Sequence, residues 1–176
     1  MKYKFNPFSK NIIFLDTEFS SLDPYKGEML SIGLAKLDGS ELYLELEYEG
    51  HFDPWVKKNI LPTLIEDKIS RESACEKIRK FVGKGKPYAV AYVNQFDDVY
   101  MNKLFKSVTR KDRPFYWLPI DFASILFGMG FDPYSLSDTK FLEEIGVDTK
   151  KFKHTHNALD DAKLLREVYL KMVDEK

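Results

Sequence analysis

Apolar and polar positions alternate in recognisable blocks along the chain. Ile12-Ile13-Phe14-Leu15 is an unbroken apolar run, so Asn11 to Asp16 reads as a short, fully buried strand. Met29 to Lys36 is a second apolar stretch, and the Asp38-Gly39 turn signal follows it. Glu41 to Tyr48 then alternates, with Leu42, Leu44, Leu46 and Tyr48 on one face and charges mostly on the other. This predicts a half-buried antiparallel strand joined by a hairpin, its Glu-rich outer face suited to a sheet edge. Tyr88 to Val93 reads as another buried strand, and Phe115 to Ile120 is strand-like.

Helical spacing falls between these runs. Pro54 to Leu64 predicts a short helix broken by Pro62. Ser70 to Val82 predicts a longer one, capped by Ser70 and stopped by Gly83. Phe96 to Val108, Asp121 to Gly128 and Leu136 to Ile145 follow, with Asp132-Pro133 as a turn, and Asn157 to Met172 forms the closing helix. A leading hairpin followed by alternating helix and strand implies an α/β sheet with antiparallel first strands and parallel later ones. The first strand is the most apolar, which places it centrally. No repeat, low-complexity tract or linker interrupts the 176 residues, so they are expected to form one domain, 1–176.

Composition narrows the chemistry. Hydrophobic content of 44% with 31% charged residues is that of a soluble globular chain, and the 14 Phe are expected mainly in its core. A net charge of −1 argues against a broad grip on long duplex nucleic acid, which needs many Lys and Arg contacts to phosphate. A short or single-stranded substrate remains compatible. Cys75 is the single cysteine, which excludes an internal disulfide and a Cys-based zinc site. The Met1-to-Pro7 segment lacks the apolar core of a signal peptide, and no apolar run approaches the ~18 residues that span a membrane. A cytoplasmic location without membrane contact is the expectation.

Asp16-Thr17-Glu18 ends the first apolar run. Residues i and i+2 of a strand project from one face, so Asp16 and Glu18 aim two carboxylates at one point. Such a pair repels itself unless a cation lies between. In the closing helix Asp161 shares the inward face with Ala158, Leu165 and Val168, whereas Asp160 lies on a mostly solvated face. In Asn94-Gln95-Phe96-Asp97-Asp98, Asp97 shares the inward face with Met101, Leu104 and Phe105, and Asp98 points away. Oxygen-only ligation suits Mg²⁺ or Mn²⁺ rather than zinc, and two such cations can clamp a phosphodiester during in-line displacement. Asn157 is a good N-cap, so His156 sits at the mouth of that helix. Beside acids that raise its proton affinity, it can take a proton from attacking water. His154 competes as the base, His51 is expected at the surface, and Lys150-Lys151-x-Lys153 is a basic cluster able to meet a phosphate backbone.

Asp16-Thr17-Glu18, Asp97 in its Asn-Gln-Phe-Asp context and His156-x-Ala-x-x-Asp161-Ala162 together resemble the DEDDh branch of the DnaQ-like 3′-5′ exonucleases. The resemblance spans nearly the whole chain. It implies a ribonuclease H-like α/β fold, with a central mixed five-stranded sheet flanked by helices. It also implies hydrolysis from the 3′ end of single-stranded or short RNA or DNA, with RNA slightly favoured, to nucleoside monophosphates. Two divalent cations, Mg²⁺ or Mn²⁺, are implied as cofactors. Asp16 would bridge both, Glu18 and Asp161 would complete the nucleophile-side site, Asp97 would support the second partly through water, and His156 would be the general base. Backbone groups at Thr17 and Phe19 would contact the terminal 3′-hydroxyl, and the Phe19 ring either stacks on a base or belongs to the core. The family usually has two residues between the Asn and the Phe-Asp pair, where this chain has only Gln95. A shifted alignment would put Asp98 at the ligand position. Facing favours Asp97, with Phe96 before it and Tyr100-Met101 after it at the usual offsets. Pro54-Trp55-Val56-Lys57-Lys58-Asn59 resembles small exoribonuclease-type members. A homodimer is left open.

Three other functions compete. A ribonuclease H-type endonuclease would use similar acids, but the histidine five residues before the last aspartate favours the exonuclease. A degenerate domain serving as a nucleic-acid-binding or scaffolding module should have lost an acid or the histidine. A phosphatase of the aspartyl-phosphate kind needs Asp-x-Asp, which Glu18 breaks.

Overall fold

The computed structural model describes residues 6, 11–107, 109 and 112–173. Strand β1 (Ile12–Phe19) is antiparallel to β2 (Met29–Lys36), which is antiparallel to β3 (Glu41–Leu46). Helix α1 (Pro54–Asn59) and a 3₁₀ turn (Leu61–Thr63) lead to the two-residue strand β4 (Lys68–Ile69), parallel to β3. Helix α2 (Arg71–Val82), strand β5 (Tyr88–Ala91) and helix α3 (Gln95–Leu104) follow. Then come β6 (Ile120–Asp121), α4 (Phe122–Gly128), a 3₁₀ turn (Ser135–Ser137), α5 (Thr139–Glu144) and α6 (Ala158–Met172). The sheet order is β4-β3-β2-β1-β5-β6, with β5 parallel to both β1 and β6.

The two-residue period of β1 divides the core. Ile13 and Leu15 face α2 and α3, packing with Ile32, Leu34, Ile78, Tyr100 and Met101. Ile12 and Phe14 face the other way, packing with Leu126, Phe141, Leu165, Val168 and Tyr169. Continuing that alternation puts Asp16 and Glu18 on the α6 side, and Thr17 and Phe19 on the α3 side.

Local signals explain several element ends. Ser70 Oγ accepts from Ser73 N at 3.3 Å at the start of α2, and Gly83, at φ +83°, ends it. Asp121 caps α4 through Ser124 N at 2.9 Å. Asn157 Oδ1 accepts from Leu159 N and Asp160 N, starting α6 where the sequence placed it.

Several expectations need correction. The sheet has six strands rather than five, because β4 adds outside β3. Glu45 is consequently not on an open edge: its side chain is buried, and its Oε1 accepts from Ile65 N at 2.8 Å and Glu66 N at 3.0 Å. The Phe115 to Ile120 strand shrinks to Ile120–Asp121. The single helix expected from Leu136 to Ile145 is interrupted, because Asp138 starts a new helix by accepting from Lys140 N. Val108, the expected end of α3, lies outside the described residues, as does most of the Met1-to-Pro7 segment. Among the described residues, no helix is long and apolar enough to cross a membrane.

Candidate active site

β1 continues three residues past the expected end at Asp16. Its pairing with β5 stops at Phe14, while pairing with β2 continues to Phe19. From Leu15 onward, one edge of β1 is therefore free of a strand neighbour, and α3 and the approach to α6 close on it. Val93, at φ +57°, turns the chain out of β5 towards Asn94 and α3. A β-branched residue in that region is sterically costly, by roughly 1–3 kcal/mol. The strain sits where the strand must end for Asp97 to reach β1.

Asp97, 5% exposed, accepts a hydrogen bond at Oδ1 from Thr17 Oγ1 at 2.7 Å. Thr17, on the α3 side of β1, thereby ties the two segments together. Asp98 turns away and pairs with the buried Arg113, and it also accepts from Asn102 Nδ2 at 3.1 Å. Helix facing thus separates the two neighbours as the sequence predicted.

On the other side, α6 begins directly over β2. A Cβ at Gly33 would lie 2.2 Å from the Ala158 carbonyl oxygen, so only glycine permits this approach. The close packing brings Asp161 to Asp16 and Glu18. One oxygen from each of these three carboxylates lies within 4.8 Å of the others. Asp161 is also held by backbone donors: Thr155 N at 2.9 Å to Oδ1 and His156 N at 3.0 Å to Oδ2. Asp160 points outward, 3.7 Å from Lys163.

Burial dominates the electrostatics. It pushes Glu18 up to about 9, reinforced by Asp161 and Asp97. Asp97 rises to about 7, again chiefly by burial, with the Thr17 hydrogen bond opposing. Asp16 is raised well above its ordinary value by burial and by Asp97, Glu18 and Asp161. Converging, desolvated carboxylates of this kind fit a bound divalent cation, whose charge would cancel the repulsion.

Asp16, Glu18 and Asp97 line a cavity of about 490 Å³, and Asp161 lies just behind Asp16 and Glu18. Leu22, Trp55, Val56, Ile60 and Phe96 give it an apolar wall. Phe19 has one face stacked on Tyr100, with ring centroids 4.5 Å apart, and also lines the cavity, so it is both core and wall.

His156 lies on the wall in the left-handed region, at φ +57°. The Trp55 ring meets it edge-on at 5.0 Å, and its carbonyl accepts from Thr63 Oγ1 at 2.9 Å. Contrary to expectation, its proton affinity is lowered. Burial and neighbouring His154 outweigh the opposing pull of Asp161. His154 Nδ1 is 2.9 Å from Asp161 Oδ2, and this hydrogen bond raises its proton affinity. His51 is exposed beside Asp53, and Lys150, Lys151 and Lys153 are exposed.

Sequence reasoning missed Thr63, Gly33 and the wall residues Leu22 and Ile60. Thr63 and Gly33 act through contacts distant in sequence and carry no local signal. Trp55 lay in the Pro54-to-Asn59 segment already singled out.

Residues 13–169 match the RNase T family, described as Exonuclease. The chain is 25% identical over 182 aligned residues to DNA polymerase III subunit epsilon of Aquifex aeolicus (strain VF5), covering 99% of this chain and 86% of the relative. Its fold is similar to the nuclease domain of 3′hExo, a DEDDh family member, bound to rAMP. The TM-score is 0.72 at 13% identity, covering 96% of this chain and 94% of that one. Escherichia coli Exonuclease I in complex with an oligonucleotide is also similar (TM-score 0.64, 14% identity), with 91% of this chain matching 39% of that larger one.

Proposed function

The chain belongs to the RNase T exonuclease family and is a DnaQ-like 3′-5′ exonuclease, and from that premise we propose that it uses two divalent cations, Mg²⁺ or Mn²⁺, to release nucleoside monophosphates from single-stranded or short nucleic acid. The observation that carries the reading is the convergence of Asp16, Glu18 and Asp161 beneath a cavity with an apolar wall. All of 1–176 acts as one exonuclease domain.

In this reading Asp16, Glu18 and Asp161 would hold one cation, and Asp16 with Asp97 would hold a second. Cations there would stabilise the charge developing on the attacking and leaving oxygens. The chain's own residues orient and exclude. Trp55, Val56, Ile60 and Leu22 take the apolar base and keep water from that side, leaving the scissile phosphate over the acids. Backbone groups at Thr17 and Phe19 meet the terminal 3′-hydroxyl, which restricts attack to an end. His156, whose proton affinity burial and His154 lower, accepts the proton of the attacking water at a ring nitrogen. RNA is slightly favoured over DNA, on the resemblance of Pro54–Asn59 to exoribonuclease-type members. The oligonucleotide-bound neighbour supports a single-stranded substrate, and the rAMP-bound one a nucleotide in the site; together they do not separate RNA from DNA.

The test is digestion of matched linear and circular RNA and DNA oligonucleotides with Mg²⁺ or Mn²⁺. Mononucleotides should accumulate from the 3′ end of linear strands while circles survive. Cutting of circles would establish an endonuclease instead. Asp16→Ala should abolish the reaction, since each cation accounts for several kcal/mol of transition-state stabilisation.

A further inference from the structure

Asp161 belongs to two overlapping donor sets. One is the oxygen-only set with Asp16 and Glu18. The other comprises His154, His156 and Asp161, which likewise offer one ligand atom each within 4.8 Å of one another. The two imidazoles meet edge to face at 4.2 Å between ring centroids, and His154 Nδ1 is already 2.9 Å from Asp161 Oδ2. Local structure brings this about. The left-handed backbone at His156 and the two backbone bonds from Thr155 and His156 to Asp161 curl the segment around the carboxylate. His154 is half-exposed, so a cation can reach the set from solvent.

The two sets differ in chemistry. Carboxylates alone suit Mg²⁺ or Mn²⁺, whereas two imidazoles and one carboxylate suit Zn²⁺ and its neighbours Co²⁺ and Ni²⁺. Three protein donors leave a fourth position open to solvent or phosphate. We propose that His154, His156 and Asp161 form a transition-metal site whose occupation by Zn²⁺ switches the nuclease off. Binding exchanges the hydrogen bond between His154 and Asp161 for two bonds to the cation. It takes the ring-nitrogen lone pair that His156 needs to accept a proton, and it draws Asp161 away from the oxygen-only set. The Zn²⁺ site stands on its own donor geometry; the inhibition rests on the exonuclease reading.

The experiment is calorimetric Zn²⁺ titration of the full chain after chelator treatment, comparing wild type, His154→Ala and Asp16→Asn. Thermal melts confirm that each is folded, and His154→Gln replaces His154→Ala if that variant is not. One Zn²⁺ should bind wild type, Asp16→Asn should change its affinity by less than tenfold, and loss of His154 should weaken it at least tenfold. A His154 effect below tenfold, or an Asp16→Asn effect as large as that of His154, would overturn the site. With Mg²⁺ driving digestion of a linear oligonucleotide, Zn²⁺ should inhibit wild type, and His154→Ala should need at least tenfold more. Inhibition unaltered by loss of His154 would overturn the switch. A wild type inert in Mg²⁺ or Mn²⁺ without Zn²⁺ would instead fail the exonuclease reading, leaving calorimetry to decide the site.

Discussion

The Thr63 hydroxyl donates to the carbonyl of His156 at 2.9 Å, across 93 residues of sequence, and shares the same proton with Ile60 O at 2.8 Å. The turn carrying Thr63 is fixed in its turn by Glu45, whose buried Oε1 accepts from Ile65 N and Glu66 N. His156 thus keeps its left-handed backbone because a neighbouring turn holds its carbonyl. Thr63→Val retains the shape and removes the donor. It should lower kcat about fivefold with little change in KM, since a hydrogen bond is worth roughly 1 kcal/mol. Thr63→Ser should restore most of the rate. Steady-state kinetics on a linear oligonucleotide check both.

Asp97 and Asp98 should separate cleanly. Asp97→Asn removes a buried charge from the cavity floor and should cost at least about 100-fold in rate with a near-normal melt, because the amide can still accept from Thr17. Asp98→Asn leaves the buried Arg113 without its charged partner and should cost about 1–3 kcal/mol in stability, with activity largely retained. Denaturant unfolding and kinetics on both variants decide which neighbour belongs to the site.

The acid cluster sets a pH dependence whose sign follows from its raised pKa values. Glu18 at about 9 and Asp97 at about 7 bind protons more tightly in the folded chain than near 4 when unfolded. Stability of the metal-free protein therefore falls as pH rises from about 4 through 7 towards 9. Its Tm should be at least ~5 °C lower at pH 9 than at pH 5, about 2 kcal/mol for a chain of this size. Mg²⁺ or Mn²⁺ should raise Tm more at pH 8 than at pH 5, because the cation replaces protons on the same oxygens. Melting curves at the three pH values, with and without metal, test this; equal metal effects at both pH values would mean these carboxylates are not the ligands.

Gly33→Ala places a methyl group against the Ala158 carbonyl. Backbone cannot yield as a side-chain tip does, so α6 must shift. The expected cost is about 1–3 kcal/mol or more in stability, with loss of activity from displacement of Asp161. Metal affinity by calorimetry should fall alongside the Tm.

Much of this site was legible because its information is periodic. The i, i+2 spacing of Asp16 and Glu18 needs only a strand. The inward faces of Asp97 and Asp161 need only helices that start where Asn94 and Asn157 lie. Glu45 was misread for a related reason: alternation shows which side of a strand a residue occupies, and cannot show that β4 and the Ile65-Glu66 backbone will cover that side. His156 was misread because nearby acids were counted without the burial and the second imidazole that outweigh them. Thr63 and Gly33 were silent because a single contact to distant backbone leaves no pattern.

The approach of α6 to β2 also bears on synthesis. Asp16 and Glu18 stand on β1 and Asp97 on α3, whereas Asp161 stands on α6, far later in the chain. A chain made only as far as α5 therefore holds three of the four acids and lacks the one that α6 supplies. The cluster closes only when α6 has been made and has packed on β2.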